Sequence, residues 1–320
     1  MAVLGTNNEQ GAYPSIIFQK SQTWACPAAM EAIVYVIGAG GSGGAIGGNQ
    51  DQSQNARGGA AGGCAVSRLT LAAQDYTVTI GSGGDDTSTP NAEAGDAGGN
   101  SELSGTGITT MTANGGAAGG VSSSAQNVTT GGGTASGGNL MNNTGGGGGA
   151  NDGSYDNNAM VVSGGGGVNL YGSNCHGKGE QSKYGTGGTP VGWSYETNYN
   201  RDYLAAGTSG YKDSAISVSF FSNLMLHGNG VASGDTAPGG DLNLSNMYKY
   251  EVGASINIYA VAGPFCGGAG YRGSHSSGAW AMSGGVGAGG GAGMNSNGSS
   301  YGMSGSGGSG IVMIFPIRMG

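Results

Sequence analysis

The chain has 320 residues, of which 75 are glycine and only 7 proline, with 9% charged residues and a formal charge of -8. Glycine at about three times ordinary usage excludes a mostly helical protein, and runs such as Gly145 to Gly149 break the strict triplet register of collagen. The acidic balance argues against nucleic acid or an anionic membrane surface as partner, and no stretch approaches the roughly 18 apolar residues of a membrane-spanning helix.

Taken in order, the chain opens with a polar arm, Met1 to Gly11, that lacks the basic and apolar regions of a signal peptide, so secretion by the ordinary route is not signalled. Ser15-Ile16-Ile17-Phe18 reads as a strand, and Pro27 marks a bend after Thr23-Trp24-Ala25-Cys26. The run Ile33-Val34-Tyr35-Val36-Ile37 is unbroken and β-branched, which predicts a strand buried on both faces. It runs directly into Gly38-Ala39-Gly40-Gly41-Ser42-Gly43-Gly44. Gly38, Gly40 and Gly43 satisfy the spacing of a dinucleotide-binding turn, but that turn must open a helix, and residues 45–59 hold too many glycines and too few aliphatic side chains to form one. A glycine excursion between two strands fits better.

Ala65 to Leu71 alternates apolar and polar residues, and Tyr76 to Ile80 follows it after the turn Ala72-Ala73-Gln74-Asp75, which predicts a β-hairpin. From Gly81 to about Gly210, glycine clusters alternate irregularly with Ser, Thr and Asn spacers. Aromatic residues crowd the part of this stretch after Tyr155, from Tyr171 to Tyr211, and beyond it Ile216 to Phe221 and Ile256 to Val261 read as strands. Glycine returns from Gly267 to Gly310 before a closing strand, Ile311 to Phe315.

Strands at both ends with glycine between them predict a mainly β fold with almost no α-helix: a small β-sandwich built from both chain ends, carrying a glycine-rich body. Residues 1–80 are expected to form the arm and most of the base, 81–309 the body with Tyr-rich loops (least glycine-rich at about 150–265), and 310–320 the closing strand. Glycine can order as polyproline-II-like helices, which have no internal hydrogen bonds and must pair laterally with neighbours. A bundle of such segments is the expected form of the body.

Four cysteines, Cys26, Cys64, Cys175 and Cys266, lie far apart and never as C-x-x-C, so buried free thiols are expected in place of a zinc site or disulfide framework. His176, His227 and His275 sit in no catalytic motif. The stretch Gly172 to Lys178 nearly matches a phosphate loop, but Gly179 occupies the magnesium-binding Ser/Thr position. Asp85-Asp86 and the pair Asp152 and Asp156 lack the closing glutamate of an EF-hand. No enzyme activity, cofactor or metal is expected.

Thr23-Trp24-Ala25-Cys26-Pro27, residues 33–44, Tyr76 to Gly84 and Gly307 to Phe315 together resemble the glycine-rich domain of bacteriophage tail-fibre and related virion proteins. The resemblance frames the chain from about Ser15 to Phe315. It implies a protein of the virion surface, assembled in the host cytoplasm, similar to adhesins whose polyglycine-II helices brace loops that touch a host receptor, either saccharide or outer-membrane protein. Other virion proteins of fibre or capsid are the implied partners, and both a homotrimer and a single chain capping a fibre fit. Such adhesins often carry a long attachment domain ahead of this one, whereas Met1 to Pro14 precede the first expected strand here. That leaves capsid decoration or a head fibre without a receptor role as the alternative, and a nucleotide-binding enzyme using Gly38 to Gly43 as a distant one. Under this resemblance Tyr184, Trp193, Tyr195, Tyr199, Tyr203 and Tyr211 are the receptor-contact candidates, because Tyr and Trp offer large rigid contact area at low entropic cost. The competing reading has them covering the flat sides of glycine layers.

Overall fold

The computed structural model describes residues 13–48, 55–122, 131–149, 161–163, 165–170, 181–182, 265, 267–268, 270–273, 279–281, 283–295 and 300–320. The described residues are mainly β, with no α-helix among them, and no helix long and apolar enough to cross a membrane.

Two five-stranded antiparallel sheets form the base. The first runs in the order Ile16–Phe18, Ile311–Met319, Met30–Ile37, Cys64–Leu71, Met141–Asn143. The chain ends therefore meet as expected, with Ile314 opposite both Ile16 and Val34. The second sheet runs Ala135–Ser136, Met111–Ala113, Ser101–Ser104, Asp75–Thr79, Gln22–Ala25. Across the two sheets, four strands (Ser101–Ser104, Met111–Ala113, Ala135–Ser136 and Met141–Asn143) come from inside the stretch expected to be glycine body, so base and body interleave along the chain.

The expected hairpin does not form. Cys64–Leu71 pairs in the first sheet and Asp75–Thr79 in the second, so the turn between them is a corner that carries the chain across the sandwich. Burial drives this: Leu71 and Tyr76 both point into the core between the sheets, and the Tyr76 hydroxyl accepts the amide hydrogen of Ala72 at 2.9 Å, pinning the corner. A buried tyrosine needs such a partner for its hydroxyl.

Side chains at alternate positions of the two sheets fill the interior: Val34, Val36, Val312 and Ile314 from the first meet Val78, Leu103 and Met111 from the second. Trp24 closes one end with Phe18 and Tyr76, each ring centroid 5.7 Å away. The opposite face of the first sheet is covered as well. Ile37, Cys64, Val66, Ile311, Met313 and Phe315 pack there against Val168, Leu170, Phe265 and Ala288. The strand Met30–Ile37 thus lies between two cores, as its unbroken apolar run predicts.

Beyond Ile37 the chain enters a lattice of glycine segments held by main-chain hydrogen bonds. Gly38, Gly41 and Gly44 donate to Gly63, Ala60 and Arg57; Ala39 and Ser42 donate to Gly99 and Asp96; Gly40 and Gly43 donate to Gly308 and Gly305, all at 2.8–3.0 Å. Successive amides point to three different neighbours and return to the first every third residue, the periodicity of a polyproline-II-like helix. Carbonyls of the same segment accept from Gly84, from Gly116 and Gly119, and from Gly290 and Gly293. Residues 38–44 are thus ringed by six segments.

The segment 57–63 repeats the pattern: Arg57, Ala60 and Gly63 donate to Gly120, Ala117 and Asn114, while Gly59 and Gly62 donate to Gly290 and Gly287. Close approach explains the composition. A Cβ on Gly40 or Gly43 would collide with the main-chain carbonyl of Ala288 or Gly291, and backbone atoms have no side-chain freedom with which to yield.

Candidate functional site

The glycine segments end, away from the sandwich, in a cap of short strands. One sheet there joins Val121–Ser122, Asn55–Ala56, Val161–Ser163 and Gln181–Ser182; a second joins Tyr271–Gly273, Gly293–Asn295, Ala45–Ile46 and Ala92–Glu93; a third joins Ala279–Trp280, Gly302–Met303 and Ser88–Thr89. Their strands are two or three residues long because the chain regains side chains only where the lattice stops. Ile46, Ala56, Ala292 and Met294 form a separate small core beneath this cap, with Ala92 and Val121 against it.

That core fixes the places where loops emerge. The turn at Thr89 to Asn91 is held by the Asn91 amide on the Thr89 hydroxyl (3.1 Å) and by the Gly47 amide on the Asn91 carbonyl. Thr87 and Ser304 bond reciprocally, the Thr87 amide to the Ser304 hydroxyl and the Ser304 amide to the Thr87 carbonyl, both at 2.9 Å. The fully buried Asn295 donates from Nδ2 to the Tyr301 carbonyl at 3.1 Å, and Tyr301 itself is 48% exposed. Asp85, Asp86 and Glu93 are exposed on the same loop, and Asp96 is exposed where it rejoins the lattice, so these described groups give that side of the cap a negative field. Arg57 sits half-buried at the lattice boundary, and burial pulls its guanidinium below the usual range.

The cap thus presents hydroxyls, carboxylates and an aromatic ring on short hydrogen-bonded strands. Among the described residues no group of three His, Cys, Asp or Glu could hold a metal ion. Gly38 to Gly43 does not offer the free amides that the dinucleotide spacing would require: every amide from Gly38 to Gly44 is already taken by a carbonyl, and Ala45–Ile46 directly after it is a strand.

Tyr184, Trp193, Tyr195, Tyr199, Tyr203 and Tyr211 lie outside the described residues, as do His176, His227, His275, Asp152, Asp156, Cys175, Cys266, the stretch Gly172 to Gly179, and the expected strands Ile216 to Phe221 and Ile256 to Val261. Cys26 and Cys64 are free and buried, and burial pushes the Cys64 thiol up to about 12. Sequence reasoning overlooked Tyr301. Its one signal was position, a lone aromatic between the polar run Asn295 to Ser300 and the returning glycines.

The fold defines a β-sandwich that carries a backbone-bonded glycine lattice. The chain belongs to the glycine-rich domain family, whose model matches residues 17–241. A search of curated proteins found no match.

Proposed function

We propose that this is a structural protein of the bacteriophage virion, a tail-fibre or fibre-tip adhesin that docks through its sandwich and presents loops to a receptor on the host surface. The observation that carries this reading is the polarity of the molecule: both chain ends are tied into a sandwich on one side, and loops from separate parts of the chain gather on a cap at the other. Between them stands a lattice that owes its rigidity to main-chain hydrogen bonds, so loop sequences can vary without disturbing what holds them. In this role Tyr184, Trp193, Tyr195, Tyr199, Tyr203 and Tyr211 supply aromatic contacts to a saccharide or outer-membrane protein, and the chain performs recognition without catalysis.

Immunogold electron microscopy of intact virions, with antibodies raised against residues 184–211, tests the proposal. Label at tail or fibre tips is the expected result, and free protein should then block adsorption to host cells. Label over the head would replace the adhesin reading with capsid decoration or a head fibre, and unlabelled particles would remove the virion assignment altogether.

A further inference from the structure

Among the described residues, Tyr301 is the one large apolar residue exposed on the cap; Ile17, Leu140 and Ile317 lie on or beside strands of the sandwich. Its main chain is fixed from several directions. The Ser300 carbonyl accepts from the Gly48 amide at 2.9 Å, the Tyr301 carbonyl accepts from the buried Asn295, and Gly302 pairs with Thr89. A Cβ on Gly302 would collide with the Ile46 carbonyl, so the chain presses on the strand Ala45–Ile46 directly after Tyr301. Tyr301 takes no part in the small core that Ile46 forms with Ala56, Ala292 and Met294. An aromatic residue is thus held in place without being buried.

Continuing the pairing of Gly302 with Thr89 by one step puts Tyr301 across from Pro90, beside the exposed Asn91. Glu93 is exposed two residues further on, and Asp85 and Asp86 are exposed at the other end of the same loop. Residues 85–96 hold four carboxylates and no Lys or Arg. We propose, resting on the reading of the protein as an adhesin, that Tyr301, Asn91 and Glu93 form a saccharide subsite on the cap, and that it takes an uncharged sugar chain. Tyrosine offers the C–H face of a sugar ring a large, stiff apolar partner at low entropic cost. Asn91 supplies a donor and an acceptor for sugar hydroxyls, and Glu93 accepts from them in charge-assisted bonds. The sign of the field sets the class: a uronic, sialic or phosphorylated sugar would bring like charge against Asp85, Asp86 and Glu93, which costs binding. The subsite is separate in sequence from the candidates between Tyr184 and Tyr211, and its placement comes from the lattice and cap contacts just given.

The test sets the full chain against immobilised neutral glycans (glucans, galactans, mannans and chito-oligosaccharides) and acidic ones (polyuronates and polysialic acid), alongside binding to host cells. The full chain should hold a neutral glycan and reject the acidic ones. Tyr301→Ala should weaken that binding about tenfold, with a melting temperature within about 2 °C of the parent, and Tyr301→Phe should restore most of it. Asp85→Asn with Asp86→Asn should narrow the gap between neutral and acidic glycans. Unchanged neutral-glycan binding in Tyr301→Ala, a preference for acidic glycans, or host-cell binding with no glycan held would each overturn the subsite and leave the adhesin reading standing. Binding to neither cells nor glycans would overturn both.

Discussion

The sandwich and the lattice are two opposite solutions to filling an interior. In the sandwich, sheets stand about 10 Å apart and side chains such as Val36, Leu103 and Met111 fill the gap. In the lattice the backbones themselves are the filling, and the space a Cβ would need at Gly40 belongs to a neighbour's carbonyl. One interior is specified by which side chain is present, the other by its absence. The lattice also starts at an entropic disadvantage, because glycine loses more freedom on folding than any other residue, so it depends on completing nearly every lateral bond.

The sharpest way to break this comparison is a single methyl group. Gly40→Ala should destabilise the chain by about 3 kcal/mol or more, since an overpacked site normally relaxes by moving side chains and here only main chain surrounds it. Equilibrium urea unfolding checks this; a loss below about 1 kcal/mol would mean the lattice is looser than its hydrogen bonds imply.

Next in size is a deletion in the other interior. Leu103→Ala removes a fully buried side chain from between the sheets and should cost about 3 kcal/mol. The informative readout is the shape of the melt followed by circular dichroism together with Trp24 fluorescence, in a chain carrying Trp193→Phe and Trp280→Phe. Ile37 and Ala61, one from the sandwich and one from the lattice, share a core with Cys64 and Met313, so both probes should move in a single transition. Two transitions would make sandwich and lattice separate cooperative units.

What could be read in advance divides along the same line. Ile33 to Ile37 and Ile311 to Phe315, the apolar centres of Met30–Ile37 and Ile311–Met319, were legible because side-chain pattern carries the information there, while the polar ends of both strands were not. Ser101–Ser104 and Met111–Ala113 were not, because Leu103 alone, or Met111 with Ala113, is too short a pattern to show a period, and their burial depends on what lies opposite. The turn after Leu71 misled for a related reason: a corner and a hairpin use the same turn residues and differ only in which sheet Tyr76 joins. Glycine announced a lattice through composition, yet it carries no side chain to say which segment pairs with which. The cap was invisible because it is assembled from strands spread between Ala45 and Met303.

Alkaline pH probes the seam between the two regions. Burial raises Tyr35 to about 12 from its ordinary 10.0, with Cys64 nearby adding to the shift, and burial raises Cys64 to about 12 from 9.0. Both groups hold their protons more tightly folded than unfolded. Their stabilising contribution is therefore complete below about pH 9 and is lost as pH climbs toward 12. Thermal melts from pH 8 to 11 should show this decline, and Tyr35→Phe should lessen the part that begins near pH 10. An unchanged pH profile in that variant would place the Tyr35 ring in water.

The smallest effect with a definite sign returns to glycine. At Gly120 the position of a Cβ is open, with no atom of the described residues beyond its chain neighbours within 4 Å, and φ is not in the left-handed range, although its carbonyl still accepts from Arg57. Gly120→Ala should therefore stabilise the chain by about 0.4–1 kcal/mol, by restricting the unfolded state without disturbing the folded one. Gly120 and Gly40 are chemically identical and both bond to lattice neighbours, so opposite signs at the two positions would assign the cost of Gly40→Ala to the neighbouring carbonyl. A loss at Gly120 as well would mean that the lattice needs glycine for its backbone conformation, and not only for close approach.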